Sequence, residues 1–337
     1  MGGKKFWSVS GIVFLIFGLI LLSAPNDSVA AKAPLIVKIG TAGSGGTYYY
    51  VGAAVSNVVN KYVPDVKMNP EATAGGLENM RRINSRNLDF AMVAPADYVR
   101  VQKDKTAGPD KICFVQGIHS TVQHFLVRAD RVKGAKTVKE FLRKGVKMGV
   151  GEPGSSVQSS NQVMLQVFGL TFNDIDAHKI SQAEAADAIK DGVIDAMFVG
   201  GGIPLASVTD VTQSIDAVII PFTEDDIKKF QKVAAYQFGY TIPANTYKGQ
   251  KNPVYTVAYP PMLVVRSDMD PDIVYKVVQA IHNHADEIAA LHPAGREWTM
   301  ESVYRGADWA HSFGYKFHPG MIKYLKDKKK WNPKYEK

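Results

Sequence analysis

The chain has 337 residues, 46% hydrophobic, 10% aromatic and 21% charged, with one cysteine and a formal net charge of +8. This is the composition of a globular protein with a sizeable core, and it excludes disorder, a collagen-like repeat and a disulfide framework. At roughly 100 to 200 residues per domain, the length allows two domains.

At the start, Lys4 and Lys5 precede an apolar run from Phe6 to Leu22, and Ser28-Val29-Ala30 then places small residues where a signal peptidase reads. Residues 1–30 are expected to be a secretory signal cleaved at Ala30, Ala31 or Ala33, with the mature chain in the periplasm. An uncleaved membrane anchor is the competing reading, because the run is at the lower length limit for a spanning helix. A lipid anchor is excluded, since no cysteine follows the run. At the other end, Lys323 to Lys337 holds seven lysines against Asp327 and Glu336. The basic excess is therefore a local terminal run and not a basic face, and nucleic acid is not an expected partner. Cys113, inside Ile112-Cys113-Phe114-Val115, reads as a small core residue.

Between these ends lies a repeat. Leu35 to Ile39 reads as a buried strand running into Gly40-Thr41-Ala42-Gly43-Ser44-Gly45-Gly46-Thr47, and a helix follows on Val51, Ala54, Val55, Val58, Val59 and Tyr62. Val146-Lys147-Met148-Gly149 and the loop through Gly154 and Ser156 repeat this pattern, with a helix on Val163, Met164 and Val167. Each copy continues with a helix and a strand: Glu78–Ser85 and Leu88–Val93 in the first, Ala183–Lys190 and Ile194–Val199 in the second. Four matched elements in order point to two α/β domains of related topology. The near copies His124–Asp130 and Pro261–Asp268 flank the second unit and are expected to be strands crossing between domains. The second domain, 127–263, is then an insert, and the first is discontinuous, 34–126 plus 264–337. A single closing helix is expected over Pro271–Leu291.

In an open parallel sheet, ligands bind where the loops after the strands gather. Each Gly/Ser loop opens a helix whose first N–H groups are unpaired and whose dipole end is positive, so each domain offers an anion site. The expected ligand-binding residues are Ser44, Gly45, Thr47, Tyr48 and, after them, Tyr49 in the first loop and helix turn; Thr73, Ala74 and Gly75 before a helix starting near Gly76; Ser155 and Ser156 in the second loop; and Gly200 and Gly201, which allow tight closure. Asp97 either holds an ammonium group or caps the next helix. Thr47, Ser155 or Ser156 acting only as helix caps is the plainer alternative. Catalytic patterns are poor: Gly46 stands where a P-loop needs its lysine, there is no Gly-x-Ser-x-Gly or His-Glu-x-x-His, and neither a metal nor a cofactor is expected.

The ordered set Ile39-Gly40-Thr41, Gly45-Gly46-Thr47-Tyr48-Tyr49, Thr73 to Asn79, Gly151-Glu152-Pro153-Gly154-Ser155, Ala185-Ala186-Asp187-Ala188, Ile242 to Tyr247 and His292-Pro293-Ala294 resembles the TAXI family of periplasmic solute receptors for TRAP transporters. The resemblance implies a two-domain periplasmic-binding-protein fold of type II, each domain a mostly parallel sheet flanked by helices with the ligand cleft between them. It further implies a receptor, expected to be non-enzymatic and monomeric, that closes over a small organic solute and delivers it to a TRAP-type permease; the two facing anion sites make a carboxylate-bearing solute the expected one. Pro95-Ala96-Asp97 and Tyr50 depart from the family's usual residues, so the solute need not be the family's glutamate-like one. The alternatives are an exported enzyme using Ser44 or Ser155 as nucleophile, and a signalling module that binds without transport.

Overall fold

The computed structural model describes residues 1–3 and 33–336, so the apolar run and the sites Ala30 and Ala31 lie outside the described residues. Pro34–Lys337 forms one compact unit. Among the described residues it holds twelve strands: β1 (Leu35–Gly40), β2 (Val66–Glu71), β3 (Phe90–Val93), β4 (Ile112–Gly117), β5 (Thr121–Arg128), β6 (Lys147–Gly149), β7 (Asp176–His178), β8 (Ala196–Gly201), β9 (Ala217–Ile219), β10 (Phe238–Ile242), β11 (Val254–Tyr259) and β12 (Met262–Arg266). They form two sheets, β2-β1-β3-β12-β4 and β10-β11-β5-β8-β6-β7, with β9 paired to β5.

The sequence repeat is visible in the topology. β2-β1-β3 and β7-β6-β8 have the same strand order and are parallel in both sheets. Each parallel step is made by a helix: Thr47–Tyr62 and Gly76–Asn84 in the first sheet, Ser156–Val167 and Gln182–Lys190 in the second. Outside these cores the pairing is antiparallel, through β12 in the first sheet and through β5, β9, β10 and β11 in the second. The sheets are therefore mixed around a parallel core, where mostly parallel sheets were expected.

Both faces of the second sheet are covered, which explains its unbroken apolar strands. Along β5 and β8, Phe125, Val127, Ala196 and Phe198 enter one core, while Leu126, Met197 and Val199 enter the other. This is the two-residue alternation of a strand buried on both sides. The first sheet packs into a single larger core that also takes in Trp298, Tyr315, Met321 and Tyr324 from the end of the chain. Cys113 lies in this core, where burial pushes its thiol up to about 11.

Two expectations change. The segments around His124 and Pro261 do not cross between sheets: β5 lies wholly in the second sheet and β12 wholly in the first. The chain instead crosses in the short stretches 118–120 and 260–261, because a buried strand keeps its backbone groups paired within one ladder. The closing helix is two helices, Pro271–Asn283 and Ala285–Leu291. His284 leaves helical geometry between them, at φ −128° and ψ 31°, and its ring stacks on Tyr62.

The end of the chain is fitted closely to β4. Gly117 donates its N–H to the Val303 carbonyl at 2.9 Å, and a Cβ at this position would overlap the backbone carbonyls of Ser302 and Arg305. Gly117→Ala is expected to lower stability by about 1–3 kcal/mol through overpacking against immobile backbone. The denaturation midpoint of the variant measures this, and an unchanged midpoint contradicts the fit.

Candidate functional site

Four strand-to-helix turns meet between the two sheets. β1 leads through 41–46 into Thr47–Tyr62, β2 through 72–75 into Gly76–Asn84, β6 through 150–155 into Ser156–Val167, and β7 through 179–181 into Gln182–Lys190. The carboxyl ends of parallel strands and the starts of their helices always share one sheet edge. Here the two edges face each other and enclose a cavity of about 280 Å³. Helix starts present N–H groups without intrahelical acceptors and the positive end of the macrodipole, so the cavity favours anionic groups.

Of the residues expected at the site, Ser44, Gly45, Thr47, Tyr48, Thr73, Ala74, Gly75, Ser155, Ser156, Gly200 and Gly201 line this cavity. Tyr49 does not line it; it is 40% exposed and packs edge-on against Tyr50. Helical geometry separates successive side chains by about 100°, which turns Tyr49 away when Tyr48 points inward. Asp97 is also absent from the wall: it is fully buried beside the cavity.

The hydroxyls divide into those already bonded and those free. Ser155 is the helix cap, accepting from the Gln158 N–H at 3.0 Å and donating to the Glu152 carbonyl at 2.7 Å. Thr73 donates to Asn79 Oδ1 of the helix that follows its turn, at 2.8 Å. Thr47 is not the cap of its helix, a position held by Gly46; its hydroxyl accepts from the Gly202 N–H across the cleft at 2.9 Å. Ser156 also reaches across the cleft, accepting from the Gly76 N–H at 3.2 Å and donating to Asp97 Oδ2 at 2.7 Å. By contrast, the buried Tyr48 and Thr121 hydroxyls, both belonging to residues of the cavity wall, make no hydrogen bond of normal geometry among the described residues, although they lie close enough to each other for Thr121 to draw the Tyr48 phenol slightly down. Buried polar atoms are nearly always satisfied, so these two hydroxyls are left with unused bonding capacity beside the cavity.

Glycines allow the two edges to approach. A Cβ on Gly45 would come within 2.7 Å of the Ala183 nitrogen, and one on Gly201 within 2.6 Å of Thr47 Oγ1. No lysine, arginine or histidine is among the described residues lining the cavity, and Glu152 is the one charged side chain there. Burial raises the Glu152 carboxyl above its usual range, with Glu184 and Glu78 adding to the effect. Behind Tyr48 lies His119, ring centroids 5.9 Å apart, and burial holds that imidazole down to about 3, so it is neutral. The Tyr48 phenol is pushed well above its ordinary value, chiefly by burial and then by Tyr259 and Asp97, against a lowering effect of the neighbouring Thr121 hydroxyl, so it is a hydrogen-bond donor and not a base.

Sequence reasoning missed Thr121, Tyr259, Glu152, Ser181, Gln182 and Ala183 in the wall. Ser181-Gln182-Ala183-Glu184 carries its own signal, a capping box in which Ser181 and Glu184 bond reciprocally at 3.2 and 2.8 Å. Thr121 and Tyr259 carry no local signal, because they meet only through the antiparallel pairing of β5 with β11.

These bonds separate two variants. Ser155→Ala is expected to cost about 0.5–2 kcal/mol of stability, as the loss of a cap. Tyr48→Phe, which removes an unpartnered buried hydroxyl, is expected to leave the ligand-free protein as stable as the parent or up to about 1 kcal/mol more stable. Chemical denaturation of both, freed of any bound molecule, checks this; a clear loss in Tyr48→Phe would show that its hydroxyl has a protein partner.

A model of the NMT1-like family matches residues 39–328. The ligand-binding component of an ABC-type import system from Staphylococcus aureus, solved with zinc bound, matches with a TM-score of 0.50 at 13% identity, covering 89% of this chain and 94% of that one. The alkanesulfonate-binding protein SsuA from Xanthomonas axonopodis pv. citri, solved with MOPS, matches with a TM-score of 0.50 at 15% identity, covering 88% and 92%. At these identities the likeness is one of fold: two α/β domains of the type II periplasmic-binding-protein architecture with a cleft between them. The chain belongs to the NMT1-like family.

Proposed function

We infer that this chain is an extracytoplasmic solute-binding receptor that closes over a small carboxylate-bearing molecule and hands it to a membrane permease. The observation that carries the reading is the cavity between the two sheets, walled by helix starts from both and by the unpartnered Tyr48 and Thr121 hydroxyls. Neutral donors of this kind suit a carboxylate, and Glu152 at the wall suits an ammonium group, which favours an amino acid over a keto acid or dicarboxylate. The hinge-bending units in this reading are the two sheets with their helices, the first built from both ends of the chain and the second inserted. The finer assignment, a monomeric TAXI-family receptor feeding a TRAP-type permease from the periplasm after removal of a signal peptide, rests on the sequence resemblance.

An exported enzyme is less well supported. Among the described residues the cavity wall holds no histidine or lysine to activate Ser44 or Ser155, and the Ser155 hydroxyl is occupied as a cap.

Mass spectrometry of the molecule released from denatured purified protein is expected to find a carboxylate. Calorimetry against amino acids, keto acids, dicarboxylates and neutral sugars is expected to give binding only among the first three. The Tyr48→Phe variant should bind that molecule about tenfold to hundredfold more weakly, the loss of a hydrogen bond to a charged group. Binding confined to sugars or cations overturns the ligand class, and turnover of the bound molecule on long incubation overturns the receptor.

A further inference from the structure

Asp97 occupies an unusual place for a carboxylate. It is fully buried, sits in the first turn of the helix Pro95–Asp104, and lies at the contact between the two sheets without touching the cavity. Oδ2 accepts from the Ala94 N–H of its own turn at 2.8 Å and from the Ser156 hydroxyl of the other half at 2.7 Å. Oδ1 faces the Ser159 hydroxyl, also of the other half, at 3.4 Å. Ser156 in turn accepts from the Gly76 N–H at 3.2 Å, which makes a directed relay from Gly76 through Ser156 to Asp97. A Cβ on Gly76 would overlap both Asp97 Oδ2 and Ser156 Oγ, so the glycine is what lets the three groups meet. The starts of three helices, Gly76–Asn84, Pro95–Asp104 and Ser156–Val167, converge here, two from the first half and one from the second.

We propose that Asp97 is a positioning residue for closure: through Ser156 it ties the first half to the second and sets how readily the two come together, without contacting the bound molecule. This rests on the reading that the two sheets move relative to each other. In the closed arrangement the Asp97 carboxyl is dehydrated, and that burial raises it to about 6, against the lowering effects of Ala94, Ser156, Ser159 and Arg100. The other titratable groups bearing on it are the Tyr48, Tyr98, Tyr236 and Tyr259 phenols, all of which stay neutral over the physiological range. Opening returns Asp97 to water and removes the two serine donors, so its carboxyl falls back toward the ordinary 3.8. The closed state therefore binds the proton more tightly than the open one. The proton's contribution to closure is fully present below the ordinary value and is lost as pH rises through about 6. Between pH 5 and 8 the closing equilibrium should fall about tenfold.

The relay and the charge act in opposite directions, which gives the substitutions opposite signs. Asp97→Asn keeps an acceptor oxygen for Ser156 and Ala94 while removing the charge, so it should close about a hundredfold more readily than the parent at pH 8 and show no pH dependence. Asp97→Ala and Ser156→Ala leave relay members unpaired and should close less readily at every pH. A merely structural role for Asp97 would instead weaken closure in Asn and Ala alike.

The test is single-molecule energy transfer in the ligand-free protein, with dyes on Lys67→Cys in the first half and Lys228→Cys in the second, both exposed. Cys113 is buried and slow to label. The expected result is a closed fraction that falls from pH 5 to pH 8 in the parent, is high and flat in Asp97→Asn, and is low in Asp97→Ala and Ser156→Ala. Because Ser156→Ala leaves the cap of Pro95–Asp104 intact, it stands if Asp97→Ala folds poorly. Invariant transfer in every protein overturns the moving-sheet reading and, with it, the positioning role of Asp97. Motion that persists while Asp97→Asn follows Asp97→Ala, or while the parent ignores pH, overturns the positioning role of Asp97 alone.

Discussion

Parallel pairing of strands is the constraint from which the rest of this structure follows. A parallel neighbour can be reached only through a crossover, and a helical crossover puts every strand end and every helix start on the same edge of its sheet. The chain does this twice, as β2-β1-β3 and β7-β6-β8, and then turns the two edges toward each other. The cavity, its N–H donors and its lack of cationic side chains among the described residues are results of that arrangement. Positive potential is supplied by backbone, which has no rotamers to order and no proton to lose.

Bringing two such edges together creates a difficulty that glycine resolves. At Gly45, Gly76 and Gly201 the opposing half lies closer than a Cβ permits, so the contact is made by backbone and by hydroxyls reaching across it. Thr47 meets Gly202 on one side of the cavity and Ser156 meets Gly76 on another. The same serine-rich and glycine-rich turns thus divide their labour. Some groups bind across the cleft, some cap their own helices, and a few remain free to face the cavity.

Much of this was legible in the sequence, and the limits have a physical origin. The repeat, the buried strands and the glycine loops are local patterns, and they point to the strand-to-helix turns of which the cavity wall is made. What failed was whatever depends on partners distant in the chain. Ser155 and Ser156 are adjacent serines, yet one closes on Gln158 three residues away and the other on Asp97, far away in sequence. No spacing rule tells these fates apart. Asp97 was given two roles, ammonium partner or cap; it does accept within its own turn, but its second partner comes from the other half. Thr121 and Tyr259 were invisible for the same reason, being brought together by a strand pair that closes a separation of more than a hundred residues.

The position of β12 has a consequence for how the molecule is assembled. It is an interior strand, hydrogen-bonded on both sides between β3 and β4, yet it is the last strand to emerge. Until Met262–Arg266 exists, the first sheet is two separated fragments with unpaired inner edges, while the second sheet, spanning Thr121 to Tyr259, is contiguous and complete. Once formed, that compact second half holds the two ends of a long loop together, so the entropy of closing β12 into its slot is largely spent before the strand arrives. The inserted half thereby acts as a splint for the half that encloses it.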